Sequence, residues 1–429
     1  MKSFATIAAV AALTGAATAK QCQNITVPVT VTGRNGVFDK AALTPNGDID
    51  VTNFILNLAR QGHNYTAEQL KGYANVGGSY NLAATYCQPD SGAPNVVQLL
   101  THGIGFDRSY WDNPFNNYNY SYVNVAVDQY KFATFSWDRL GIGMSSKGEP
   151  INEIQTALEV DALKALTDKL RAGTIGGKNV PKFEKVLHIG HSYGSVQSYA
   201  LTAMYPNISD GVGLTGFSQN GSFIPFFLLG GNFAQANLHV PAAKTLPNGY
   251  IAPIAQEGVH INFFAPGDFD PKFLPYAMQT GQPVTYGELL TIGGGAGSPN
   301  PIAAPVLIIT GERDVPFCGG DCLKAPTGFS SIPETSKAMF KNAKPFEVSI
   351  VKGAGHGLNY QYTHVVTYKT ILDFFVNNGV GPSGSKGGNG GSSGGSGGSG
   401  SGSGSGYPHG GNGGSWGHGG DGNGKHWSA

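Results

Sequence analysis

The feature that most constrains this chain is Gly190-His191-Ser192-Tyr193-Gly194, which has the form G-x-S-x-G. It follows a short apolar run, 186–189 (VLHI), and precedes a helical run, 195–204, which Pro206 closes. A serine placed between a strand and a helix sits on a tight, strained turn. Flanking glycines let neighbouring backbone approach, and the hydroxyl projects beside a helix N-terminus, whose partial positive charge favours an anion. Such a turn needs a fold in which a strand feeds directly into a helix, as in α/β sheet proteins.

The remaining apolar runs agree with that architecture. Residues 78–87 alternate like an early strand, and 96–101 (VVQLLT), 132–137 (FATFSW), 306–309 (VLII) and 346–351 (FEVSIV) read as further strands. Ile154, Leu158, Ala162, Leu166 and Leu170 recur every four residues, one apolar stripe of a helix that stops at Gly173. Residues 364–375 read as a closing helix. In open α/β sheets, ligands sit at the carboxyl ends of the strands. The turns after these strands should therefore converge on one crevice.

A serine hydroxyl is a weak nucleophile and needs a base, normally a histidine held by a carboxylate. On a G-x-S-x-G scaffold the order is serine, acid, histidine. After 306–309 the chain runs into Gly311-Glu312-Arg313-Asp314, and Asp314 lies just past the strand end. Glu312 and Asp321 are its rivals. After 346–351 comes Lys352-Gly353-Ala354-Gly355-His356-Gly357, which sets His356 in a glycine-flanked loop before the last helix. Oxyanion donors are expected from the backbone N–H of Tyr193 and from Ile104 in the loop His102-Gly103-Ile104-Gly105. This chemistry calls for no metal and no organic cofactor.

The two ends differ from the body. Residues 1–19 have the order of an export signal: Lys2, an apolar stretch too short to span a bilayer, then Ala17-Thr18-Ala19 as a small-x-small cleavage site. A secreted location follows, with no membrane span expected in the mature chain. Asn24, Asn64, Asn119, Asn207 and Asn220 each begin an Asn-x-Ser/Thr acceptor sequon for glycosylation. Cys22, Cys87, Cys318 and Cys322 fit an oxidising compartment and allow three pairings. Closeness in sequence favours Cys318–Cys322, and hence Cys22–Cys87, which is worth about 4 kcal/mol on the chain-entropy estimate. A single C-x-x-x-C with no nearby histidine is weak evidence for zinc.

The chain holds 65 glycines in 429 residues, and 23 of them fall in 381–429. That Gly/Ser-rich tail has too few apolar groups for a core and is expected to be disordered; tethering to a cell wall or surface is an open option. The domain plan is thus 1–19 signal, 20–380 folded domain, 381–429 tail. Lys+Arg and Asp+Glu are equal at 27 each, which argues against a nucleic-acid surface or an anionic-membrane patch.

These residues resemble the α/β-hydrolase fold superfamily, in particular its secreted fungal members. The stretches HGIG (102–105), DRLGIGMS (138–145), GHSYG (190–194), GERD and GAGHG carry the resemblance, which covers most of 78–376. It implies a mostly parallel eight-stranded sheet flanked by helices, with a lid at 221–304 inserted after strand six. It also implies an architectural role for 138–145 in the pocket wall and a local disulfide just after the acid. Ser192 argues against the epoxide and haloalkane hydrolases, which place aspartate there. The expected activity is hydrolysis of carboxylic esters, lactones or similar acyl bonds in a small, apolar substrate. A secreted peptidase and a non-catalytic binding protein are the alternatives.

Overall fold

The computed structural model describes residues 20–383. The signal reading (1–19) and all but the first residues of the tail reading (381–429) lie outside the described residues.

The first strand, β1 (Gln21–Phe38), buries Ile25, Val27, Val29 and Val31 while the residues between them face solvent. This is the period of a half-buried strand. It pairs antiparallel along its whole length with β2 (Leu70–Gln88), longer than the expected 78–87. Cys22 and Cys87 are direct cross-strand partners and are disulfide-bonded, as are Cys318 and Cys322. The zinc alternative for 318–322 is therefore not realised.

The central strands are β3 (Val96–Thr101), β4 (Ala133–Trp137), β5 (Lys185–His191) and β6 (Gly211–Thr215). Three short strands follow, β7 (Phe233–Gln235), β8 (Tyr250–Pro253) and β9 (Val284–Thr285), and then β10 (Val306–Gly311) and β11 (Phe346–Val351). The main sheet has eight strands in the order β1-β2-β4-β3-β5-β6-β10-β11. Its first two pairings are antiparallel, and every pairing from β4 to β11 is parallel. Strands β3 and β10 are buried at every residue. Burial on both faces is why they read as unbroken apolar runs.

Alternate residues feed two cores. Val97, Leu99 and Phe135 pack with Leu158, Leu163, Leu166 and Leu170 of the helix Thr156–Ala172. That helix ends on Gly173, whose φ of 73° is the left-handed cap that glycine adopts without strain. On the other face, Leu100, Leu187, Ile189 and Leu214 pack with Tyr368, Ile371, Leu372 and Phe375 of the helix His364–Asn377. Between β6 and β10 an inserted segment carries several short helices and the antiparallel sheet β7-β8-β9. Among the described residues no helix is long and apolar enough to cross a membrane.

Because β3, β5, β6, β10 and β11 are parallel, their carboxyl ends share one edge of the sheet. The turns bearing Gly103, Ser192, Gly216, Asp314 and His356 all leave from it.

Candidate active site

Ser192 follows β5 directly and has φ 53° and ψ −118°. A positive φ is uncommon for a residue with a side chain and marks strain held in place by its surroundings. The surroundings are visible. The Ser192 N–H donates to Thr215 O at the end of β6 (2.8 Å), and Ser192 O accepts from Ser195 N (2.8 Å) and Val196 N (3.1 Å) in the helix Tyr193–Met204. The glycines at either side are needed for close approach. A Cβ on Gly190 would lie 2.3 Å from Gly194 O, and one on Gly194 would lie 2.2 Å from Thr101 O.

Asp314 caps the short helix Val315–Cys318, its Oδ1 accepting from Phe317 N at 2.9 Å. Its Oδ2 accepts from the Thr310 hydroxyl (2.5 Å) and meets His356 Nδ1 at 2.8 Å. A carboxylate only accepts, so His356 carries a hydrogen on Nδ1, and in the neutral ring Nε2 bears the lone pair. That Nε2 is buried and has no hydrogen-bond partner among the described residues. The rival carboxylates are engaged elsewhere: Glu312 accepts from Gly353 N, and Asp321 from Leu323 N.

Ser192 borders the tips of β6 and β3, and His356 borders the tip of β6. A Cβ on Gly216, one residue past Thr215, would lie 2.9 Å from His356 Cε1, and a Cβ on Gly103 would lie 2.8 Å from Ser192 Cβ. The structure thus brings Ser192, Asp314, His356 and the 102–105 loop to one place. The N–H groups of Tyr193 and Ile104 have no acceptor among the described residues.

Buried histidines brace the floor. His102 Nε2 accepts from Arg139 N (3.0 Å), so its Nδ1–H donates to Gly103 O (2.8 Å). Burial, reinforced by the Arg139 charge, holds His102 neutral, with its pKa far below the ordinary value. His191 lies flat against Tyr110 (centroids 4.3 Å, 14°) and is also held neutral by burial, with the neighbouring His356 and His102 adding to the effect.

The 138–145 stretch does more than shape a wall. Arg139 is fully buried and pairs with Glu159 (2.7 Å) and Glu288. Its guanidinium lies 4.6 Å from the Tyr193 ring centre, and the Tyr193 hydroxyl donates to Glu159 Oε2 at 2.8 Å. Burial raises the Glu159 pKa, while the Arg139 charge opposes that rise. This ionic cluster holds the residue after Ser192 from below. Sequence reading missed it because Glu159 and Glu288 lie 20 and 149 residues from Arg139, with no spacing signal.

A small apolar recess adjoins the site. Gly105, Phe106, Val259, Phe263, Ala277 and Met278 line it, and it encloses about 30 Å³. Phe263 faces His356 at 5.9 Å and 25° between ring planes, so at least one aromatic of the inserted segment touches the site. A larger cavity of about 460 Å³ lies between the β1–β2 hairpin and the helices Thr156–Ala172 and Tyr193–Met204. None of Ser192, Asp314 and His356 lines it, so size does not locate the chemistry here.

This is the sheet order and strand–turn–helix geometry of a hydrolase fold. A family model described as the alpha/beta hydrolase family matches residues 98–366, more than half of the chain, and the protein belongs to that family. No curated protein matches the chain. Among solved structures, a thermophilic esterase from Thermogutta terrifontis is 17% identical, with a TM-score of 0.46, covering 70% of this chain and 94% of its own. A monoacylglycerol lipase from Paleococcus ferrophilus is 15% identical (TM-score 0.45; 67% and 96% covered). An enol-lactonase from Burkholderia xenovorans is 16% identical (TM-score 0.45; 69% and 96% covered). Likeness at this level says nothing about substrate.

Proposed function

We propose that the protein is a secreted serine hydrolase of carboxylic esters, lactones or related acyl compounds. The observation that carries the reading is the 2.8 Å contact between His356 Nδ1 and Asp314 Oδ2, which leaves Nε2 free beside the strained Ser192 turn.

In this reading Ser192 Oγ attacks the substrate carbonyl carbon as its proton passes to His356 Nε2. Asp314 holds the ring in one tautomer and stabilises the imidazolium. The Tyr193 and Ile104 N–H groups bind the oxyanion; losing one such donor typically costs about 10²–10³ in kcat. Collapse of the tetrahedral adduct expels the alkoxide, which takes the proton from His356. Water then gives a proton to His356 and its oxygen to the acyl carbon, and the acid leaves with Ser192 restored. Phe263, whose ring faces His356, supports an apolar group on the substrate.

Two disulfides support passage through an oxidising compartment. Asn24, Asn64, Asn119 and Asn207 are exposed and Asn220 is half-buried, so the first four are the more accessible glycan acceptors.

The test is Ser192→Ala on short p-nitrophenyl esters. Loss of turnover with an unchanged melting temperature is expected. Retained turnover would remove Ser192 from the mechanism.

A further inference from the structure

The loop that carries His356 is fastened by two side chains outside the triad, Glu312 at Gly353 and Gln361 beside the histidine. Gln361 is fully buried. Its Oε1 accepts from Gly355 N (3.3 Å) and Ala265 N (3.2 Å). Its Nε2 donates to Phe263 O (3.1 Å) and Gly357 O (3.3 Å). Two N–H donors face one end of the amide and two carbonyls face the other, so its orientation is settled by its partners. A single amide thus grips the glycines on both sides of His356 and ties both to the inserted segment.

The seam continues on either side. Gly357 N donates to Phe263 O (2.8 Å), Tyr362 N donates to Asp268 O (2.6 Å), and the Thr363 hydroxyl donates to Asp268 Oδ2 (2.6 Å). Gly355 and Gly357 are not in the left-handed region. They are needed because the inserted segment presses on them: a Cβ on Gly355 would lie 2.6 Å from Ala265 N, and one on Gly357 would lie 3.0 Å from Phe263 O.

We propose that Gln361 is a positioning residue for His356, and that through it the seating of the inserted segment sets where the base stands. The inference rests on the reading of His356 as the general base. The loop 352–357 has three glycines and little stiffness of its own. His356 hydrogen-bonds at one nitrogen only, to Asp314, so where Nε2 lies follows the loop backbone and the rings of His191, Phe263 and Phe317 packed on it. A 1 Å misplacement of a reacting group costs about 10²-fold in rate.

Two variants test this in the full chain. Gln361→Met keeps the volume and removes all four bonds. Gln361→Glu is nearly isosteric and sets a carboxylate oxygen against the Phe263 and Gly357 carbonyls. For both, kcat on p-nitrophenyl esters is expected to fall about 10²-fold, with KM changed by less than about threefold. A purely structural role would lower the melting temperature and leave kcat of the folded protein in place. If either variant folds and keeps kcat, the positioning role is overturned while wild-type turnover upholds the triad. If the wild type neither turns over esters nor labels at Ser192, the triad reading falls and takes this role with it.

Discussion

His356 donates its Nδ1–H to Asp314 Oδ2 over 2.8 Å, and neither side chain is exposed. The same carboxylate caps the helix Val315–Cys318 through Phe317 N. Asp314→Asn keeps an acceptor for that cap and removes the charge that selects the tautomer. It is expected to lower kcat by about 10⁴-fold. The melting temperature should move little. Steady-state kinetics and a thermal melt on the same preparation check both halves; a variant within tenfold of wild type would free Asp314 of this role.

Gly103→Ala places a Cβ 2.8 Å from Ser192 Cβ and 3.0 Å from His191 O. Either the 102–105 loop or the Ser192 turn must shift. The expected result is a fall in kcat of about 10²-fold, the size of one lost oxyanion donor. Ester kinetics read it directly, and an unchanged kcat would show that the loop lies outside the oxyanion site.

Arg139→Met leaves Glu159 and Glu288 buried without a cation. Removing one partner of a buried ion pair destabilises by about 3–5 kcal/mol. Urea unfolding at neutral pH should show a loss in that range. A loss below about 1 kcal/mol would mean the site collapses or admits water at little cost.

Buried histidines, His364 among them, contribute to the loss of stability in acid. Burial lowers the pKa of His102, His188 and His191, that of His188 to about 3. Each folded-state value lies below the unfolded value near 6.5, so their contribution is present above that pH and is lost as pH falls toward the folded values. The slope is about 1.4 kcal/mol per pH unit for each group that titrates. His188 bonds Thr167 and Ser209 through its two ring nitrogens, away from the site. His188→Gln should therefore flatten the fall in stability between about pH 6 and pH 4 by one such increment. An unchanged slope would contradict this assignment.

The parts of the site legible in the sequence were those where backbone geometry forces a residue type. Gly190, Gly194 and Gly103 are glycine because another backbone or Cβ lies under 3 Å from where their own would stand. The buried strand β3 and the half-buried edge strand β11 were readable as apolar or β-rich runs with the expected bounds. β6 went unread because Gly211 and Gly213 interrupt it; they make room for the Phe375 ring, a contact 164 residues away from Gly211. β1 does alternate from Ile25 to Val31, yet Pro28 and Gly33 masked the pattern. Gln361 carried no signal, since its four partners lie on two loops that only the fold brings together.

The most direct test of the central claim is labelling of the purified protein with a fluorophosphonate, followed by peptide mapping. The account predicts one adduct, on Ser192, abolished in Ser192→Ala and strongly slowed in Asp314→Asn. An adduct on another residue, or none on a protein that hydrolyses esters, would contradict it.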